Sequence, residues 1–233
     1  MVLEFILLLI AGYLLGSIHA GYLLPKWFYH IDIRQHGTGK IGASNVMRVT
    51  SKWLAIPVTL CDIGKGALAV WLAQLAGLEG WAQVTVGLAA IIGHNWPVFL
   101  NFKGGRGIFT SLGVITTISP WIGLIVLVLT YMFAPIKQVA FGVFLGLFSL
   151  PFLSWFLYQP FVVEDRLGVT LGFIGLALIA YITRLIVPRT ALSRETPAVE
   201  LFFNRLMLDR DIRDAKAWVN QKKGDNRSTK WKV

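Results

Sequence analysis

The chain has 233 residues, of which 55% are hydrophobic and 15% charged, with a mean hydropathy of +0.64. Apolar residues in long unbroken runs exclude an ordinary soluble domain and indicate a polytopic membrane protein. Of 22 basic residues, five lie in 26–52 and twelve in 184–232, so the net charge of +10 is concentrated; in a membrane protein this reports orientation and an anionic lipid or substrate, not nucleic acid.

In chain order, residues 1–24 form the first predicted span. Glu4 near the start and the poor cleavage site Ile18-His19-Ala20 argue against a cleaved signal peptide. The span ends in small residues suited to tight helix packing, and lone His19 reads as a satisfied helix-end residue. A basic polar segment, 26–52, follows. Gly37, Gly39 and Gly42 match a dinucleotide fingerprint only by accident, since no strand precedes them and Asp62 lies inside a membrane span; the Walker pattern fails too, because no glycine-lysine-serine/threonine run follows. What remains is a loop rich in glycine, hydroxyl, amide and cation, either an anion site or a solvated loop.

The second span, 53–75, carries Asp62 and Lys65 on one helix face near its centre. Each alone costs about 2.5–3.5 kcal/mol at mid-bilayer. The pair therefore faces the protein interior, either as functional groups or as a structural ion pair. Cys61 is the single cysteine, which removes disulfides and cysteine metal sites. The third span, 81–100, ends in Gly93-His94-Asn95-Trp96-Pro97, where His94 can bind an anion, donate a proton or cap the helix. Next comes Lys103-Gly104-Gly105-Arg106-Gly107. Close backbone approach, two cations and a following helix N-terminus make a phosphate site, or else a short basic turn.

The apolar region 108–134 is too long for one span and breaks at Ser119-Pro120. With that split, the basic segments 26–52, 103–106 and the tail share the cytoplasmic side, and Glu79 and Glu164-Asp165 mark the other. The halves hold about a dozen residues each against the roughly twenty of a full span, so neighbours must shield them. Spans at 138–157 and 167–183 complete seven segments in an all-α integral membrane protein, some short or broken, N-terminus outside and C-terminus cytoplasmic. Residues 1–190 make the membrane domain and 191–233 a basic cytoplasmic tail. In the tail, Thr196-Pro197 starts a predicted amphipathic helix with Leu201, Leu208, Ile212, Ala215 and Val219 on one face, and 221–233 reads as disordered.

Four linked motifs then carry a resemblance: Gly16-Ser17-Ile18, the 32–48 loop, Asp62-Ile63-Gly64-Lys65-Gly66, and Gly93-His94-Asn95-Trp96-Pro97 running into the 103–107 loop. Over roughly residues 5–185 the chain resembles the PlsY family of bacterial membrane acyltransferases, which use acyl phosphate to acylate glycerol 3-phosphate. The resemblance implies a cytoplasm-facing site in the bacterial inner membrane, acting as a monomer among membrane lipids with no cofactor, no metal and no nucleic acid. It assigns Thr38, Lys40, Asn45 and Arg48 to catalysis, and Gly37, Gly39, Gly42, His94, Lys103, Gly104, Gly105, Arg106 and Gly107 to substrate binding. An acyl phosphate is already activated, so the acceptor hydroxyl can attack it directly while N–H groups hold the oxyanion and cations receive phosphate.

The chain departs from the family pattern at functional positions. Thr38 and Lys40 stand where serine and asparagine are usual, and Lys137-Gln138-Val139 replaces common serines. No histidine follows His94, whereas the family carries a histidine and an asparagine after the last helix. A re-specialised or catalytically impaired paralogue is the alternative expectation. A small-anion transporter is the third, although no two-fold repeat is visible.

Overall fold

The computed structural model describes residues 2–159, 165–189 and 191–220. Glu164, the 221–233 segment and its Asn226-Arg227-Ser228 sequon lie outside the described residues. All regular structure among the described residues is helical: α1 (Val2–Ser17), α2 (Ala20–Tyr29), α3 (Ala43–Val49), α4 (Lys52–Leu75), α5 (Gly80–Asn95), α6 (Ile108–Ile118), α7 (Pro120–Tyr131), α8 (Val139–Phe156), α9 (Arg166–Leu185), α10 (Ala191–Arg194), α11 (Ala198–Leu208) and α12 (Ala215–Asn220), with 3-10 turns at Ile33–Gln35 and Val98–Leu100. The stretches Val2–Tyr29, Lys52–Leu75, Val139–Phe156 and Arg166–Leu185 are long and apolar enough to cross a membrane. This is a multi-pass membrane protein.

Helix contacts rest on small residues that let backbones meet, since apolar burial alone gives no drive between helices in lipid. A Cβ on Gly16 would overlap the Ala90 carbonyl and one on Gly93 the Tyr13 carbonyl, so α1 lies directly against α5. Gly66 and Gly113 bring α4 onto α6 in the same way. Val84, Ile91, Val114, Phe173 and Leu176 fill the centre between α5, α6 and α9.

Two ends of the bundle differ in charge. At one, Phe5 packs edge-on to Trp81 (5.3 Å), and Asp165 accepts the Trp81 N–H at 2.9 Å while capping α9 through Gly168. At the other, Lys40, Arg106, Arg184 and the 198–211 segment converge. The helices α6 and α7 form a hairpin between these ends. Ser119 is extended (φ −148°, ψ 106°), closes α6 through its N–H to Ile115 O (2.9 Å), and opens α7 with Pro120 at the first position. At 11 and 12 residues the two helices are about 16 and 18 Å long.

Three expected elements take a different form. The first span is not one helix: α1 ends at Ser17, His19 is extended, and the freed Ile18 carbonyl is taken by the Lys65 ammonium at 3.1 Å. The third ends at Asn95, five residues early, because Pro97 cannot supply an N–H to continue it. The tail helix is likewise interrupted, since Asp209 adopts a left-handed conformation (φ 58°) and stops α11 before α12 begins at Ala215. Pro197, not Thr196, occupies the cap position of α11. Leu201 is buried, Leu208 and Ile212 are half-buried, and the Val219 side chain lies outside the description.

Candidate active site

The 30–42 loop is folded, not solvated. Ile33 and Ile41 are buried with Val46 and Val58, pinning the loop onto α3 and α4. Asp32 caps the following turn and grips Arg34 (2.7 Å), whose guanidinium lies 4.8 Å from the Tyr22 ring. That hydrogen bond to Arg34 holds the Asp32 carboxyl below its ordinary range. Asn45, on α3, organises the rest. Its oxygen accepts the Thr38 N–H at 2.8 Å and its amide donates to Lys40 O (2.8 Å) and His36 O (3.0 Å). Gly37 and Gly39 have φ of 59° and 69°, which the turn requires. At Gly42, a Cβ would meet open space.

The glycine loop is built on the end of α5. The Gly105 N–H donates to His94 O (3.0 Å), and the Gly104 position leaves no room for a side chain between the carbonyls of His94 and Asn95. Among the described residues the N–H groups of Gly104, Arg106 and Gly107 donate to no other backbone or side-chain group. They therefore remain available to an anion at the N-terminus of α6, where Gly107 is left-handed (φ 67°).

Behind this loop lies a polar cluster. Asp62 Oδ1 is 3.0 Å from Lys65 Nζ and 3.5 Å from His94 Nδ1, and His94 Nδ1 is 3.2 Å from Thr110 Oγ1. His94 is 3% exposed and its Nε2 backs onto Gly105, so it supports the loop from beneath. His19 was expected to be satisfied. Instead it is buried beside His94, ring centroids 4.6 Å apart, and neither nitrogen has a hydrogen-bond partner among the described residues. His19, Asp62 and His94 each bring a possible ligand atom within 4.8 Å of one another. The Lys65 ammonium already neutralises Asp62, however, and opposes a divalent cation there.

Two cavities meet at this end of the bundle. A polar one of about 180 Å³ is bordered by Lys40, Asn95, Gly104, Gly105, Arg106 and Thr183. Both polar atoms of the Asn95 side chain are buried without a hydrogen-bond partner among the described residues, a costly state that a polar ligand would relieve. An apolar cavity of about 570 Å³ runs between α4, α6, α7 and α8, with Ile115, Val126 and Leu147 in its wall. Its polar lining includes Ser44, Ser111, Arg184 and Asp209.

Arg106 and Asp209 form an ion pair between the two cavities, and Lys40 Nζ lies 3.8 Å from the same carboxylate. Burial, helped by the charge of Arg184, pushes Arg106 down to about 9. Of the residues expected from sequence, Lys40, Gly104, Gly105 and Arg106 thus come together. Thr38, Arg48 and Lys103 border neither cavity, and Arg48 and Lys103 are exposed. Arg48 shares a face of α3 with Ser44, which does border the apolar cavity.

Sequence reasoning did not single out Asn95, Ser44, Arg184 or Asp209. The first lay in a quoted motif beside His94, but nothing in its local pattern says that its amide is left unsatisfied.

The sequence model of the family described as "Glycerol-3-phosphate acyltransferase" matches residues 6–190. The chain is 46% identical over 217 residues to "Glycerol-3-phosphate acyltransferase 4" of Dehalococcoides mccartyi (strain CBDB1), covering 93% of this chain and 94% of that one. It is 45% identical to "Glycerol-3-phosphate acyltransferase 5" of Dehalococcoides mccartyi (strain ATCC BAA-2266 / KCTC 15142 / 195), covering 95% of each. Among solved structures it is similar to PlsY (YgiH), an integral membrane glycerol 3-phosphate acyltransferase, in its glycerol 3-phosphate form. That match has 28% identity and a TM-score of 0.67, covering 83% of this chain and 99% of that one. The chain belongs to the glycerol-3-phosphate acyltransferase family.

Proposed function

We propose that this protein transfers a fatty acyl group from acyl phosphate to the 1-hydroxyl of glycerol 3-phosphate, giving lysophosphatidate and phosphate. The observation that carries the reading is the junction of an apolar cavity with a cation-bearing polar one across the Arg106–Asp209 pair. A fatty acyl phosphate has one apolar and one anionic end, and glycerol 3-phosphate is small and anionic. The two cavities suit those shapes and charges.

In the reaction, the acceptor oxygen adds to the acyl carbon and the bond from that carbon to the phosphate oxygen breaks. The hydroxyl proton leaves on phosphate, so no nucleophilic side chain, metal or cofactor is needed. Arg106 and Lys40 hold anionic oxygen, and the N–H groups of Gly104, Arg106 and Gly107 offer further donors. Asn95 orients the acceptor through its free amide. Asn45, with Gly37 and Gly39, sets the loop that delivers Thr38 and Lys40, and Lys103 and Arg48 add positive potential at the entrance.

The site faces the cytoplasm of a bacterial inner membrane, in a seven-segment monomer whose N-terminus is outside. Convergence of the three basic segments at one end, and of Glu79 and Asp165 at the other, supports that orientation. A re-specialised paralogue is the second reading, favoured by the absence of any histidine after His94.

The test is purified protein with palmitoyl phosphate and glycerol 3-phosphate, following phosphate release and lipid mass together, with Arg106→Ala and Arg48→Ala as controls. Lysophosphatidate that disappears in the controls is the expected result. Phosphate release without that lipid would transfer the argument to another acceptor.

A further inference from the structure

The segment after α9 lies beyond the residue-190 boundary of the family match, yet it reaches into the centre of the site. It is held there firmly. Arg205, 7% exposed, pairs with Asp211 through Nε (2.8 Å) and Nη2 (3.1 Å) and donates to the carbonyls of Leu185, at the end of α9, and Val187, just past it. Arg184 returns a bond to Leu206 O at 2.7 Å, and Asn204 donates to Asp211 O at 3.3 Å. These bonds clamp the end of α11 over the junction of the two cavities. The residue they present is Asp209, in contact with Arg106 and 3.8 Å from Lys40.

A carboxylate and a phosphate seek the same donors. We propose that Asp209 is an intramolecular occupant of the acceptor's phosphate site: it neutralises Lys40 and Arg106 while the site is empty and gives way when the substrate phosphate enters. The proposal rests on reading those two cations as phosphate ligands. Two observations favour occupancy over a chemical role for Asp209. First, a carboxylate held by two cations is a weak base, poorly suited to take the acceptor's proton. Second, an undisplaced Asp209 would put like charge beside a phosphate dianion in a buried site. Displacement is also locally feasible. Asp209 sits at the left-handed stop of α11 with its side chain 27% exposed, so rotation toward solvent frees the cations while the Arg205–Asp211 clamp stays closed. The consequence is a built-in competitor that sets acceptor affinity and keeps two buried or half-buried cations paired between turnovers.

The test uses the full-length enzyme in detergent and measures KM for glycerol 3-phosphate, kcat, and inhibition by inorganic phosphate. Asp209→Asn keeps the size and removes the charge; Asp209→Ala is the second variant should the amide disturb folding. Loss of an ion-paired competitor is expected to lower KM roughly tenfold and to strengthen phosphate inhibition similarly, with kcat within about twofold of native. An unchanged or raised KM, or a fall in kcat at constant KM, would overturn the proposal. Arg106→Ala separates the two levels of argument. A raised KM there upholds the phosphate-site reading whatever Asp209 does, and an unchanged KM sinks that reading and this proposal together.

Discussion

The Asn45 side-chain oxygen accepts the Thr38 N–H at 2.8 Å, so a helix residue holds the conformation of a loop seven positions before it. The same amide donates to His36 O and Lys40 O, and a Cβ on Gly37 would run into its oxygen. Asn45 is therefore placed to position Thr38 and Lys40 without bordering either cavity. Asn45→Ala should cost about 3 kcal/mol, near 1 kcal/mol for each bond lost. It should lower kcat at least about tenfold, since loose placement of reacting groups is expensive. Thermal unfolding in detergent, run alongside the acyl-transfer assay, checks both. A variant with native stability would show that the loop holds its shape by other means.

Much of the frame is readable from residues next to one another. Ser119-Pro120 announces the α6–α7 break because proline both stops one helix and starts the next, and Asp62 with Lys65 announces a buried pair because lipid makes any other placement costly. The site is less legible because its contacts are made at long range. No local pattern ties Asp209 to Arg106, 103 positions earlier, or Lys65 to the Ile18 carbonyl freed where the first helix breaks. The tail also looked amphipathic at helical spacing, and the left-handed turn at Asp209 that divides it has no glycine or asparagine to signal it. In sequence His94 reads equally as an anion ligand, a proton donor or a helix cap, and its place beneath Gly105 depends on how the loop folds back on α5.

The charge of Arg106 depends on its being arginine. Burial and the neighbouring Arg184 push it down to about 9, so its cationic form persists below that pH and is lost above it. A lysine starts about two units lower, near 10.4, so the same surroundings leave it uncharged at a lower pH than arginine. Arg106→Lys should thus lose activity at a lower pH than the native enzyme as pH rises. The pH dependence of kcat/KM for glycerol 3-phosphate measures the difference. Parallel profiles would mean that the positive charge at this position is not what binds the acceptor.

Val126 and Leu147 form part of the apolar cavity wall, on α7 and α8. If that cavity takes the acyl chain, narrowing it should discriminate by chain length. Val126→Phe is expected to raise KM for palmitoyl phosphate far more than for octanoyl phosphate, because each methylene left unburied costs about 0.8 kcal/mol, roughly fourfold. Equal effects on both donors would place the chain elsewhere. Retained use of the short donor also guards against mistaking a misfolded variant for a selective one.

Asp62 and Lys65 are 3% and 6% exposed, and neither can lose its partner cheaply. Lys65→Met leaves the Asp62 carboxylate buried and removes the donor from Ile18 O, at the very point where the first helix breaks. Asp62→Asn leaves the ammonium uncompensated beside His94. Either single change should destabilise by about 3–5 kcal/mol, because the loss is the burial of an unpaired charge. The double variant removes both charges together and should be less damaged than the sum of the two, with a coupling of about 2 kcal/mol or more. Reversible unfolding of all four proteins in one detergent gives the cycle, and activity measured in parallel decides what the pair is for. Recovery of both stability and turnover in the double variant would make it an architectural pair that holds α1, α4 and α5 in register beneath the glycine loop. Recovery of stability alone would show that the charges themselves act on the reaction, through His94 and the loop resting on it. Strictly additive losses would mean that the two side chains, although 3.0 Å apart, do not stabilise each other at all.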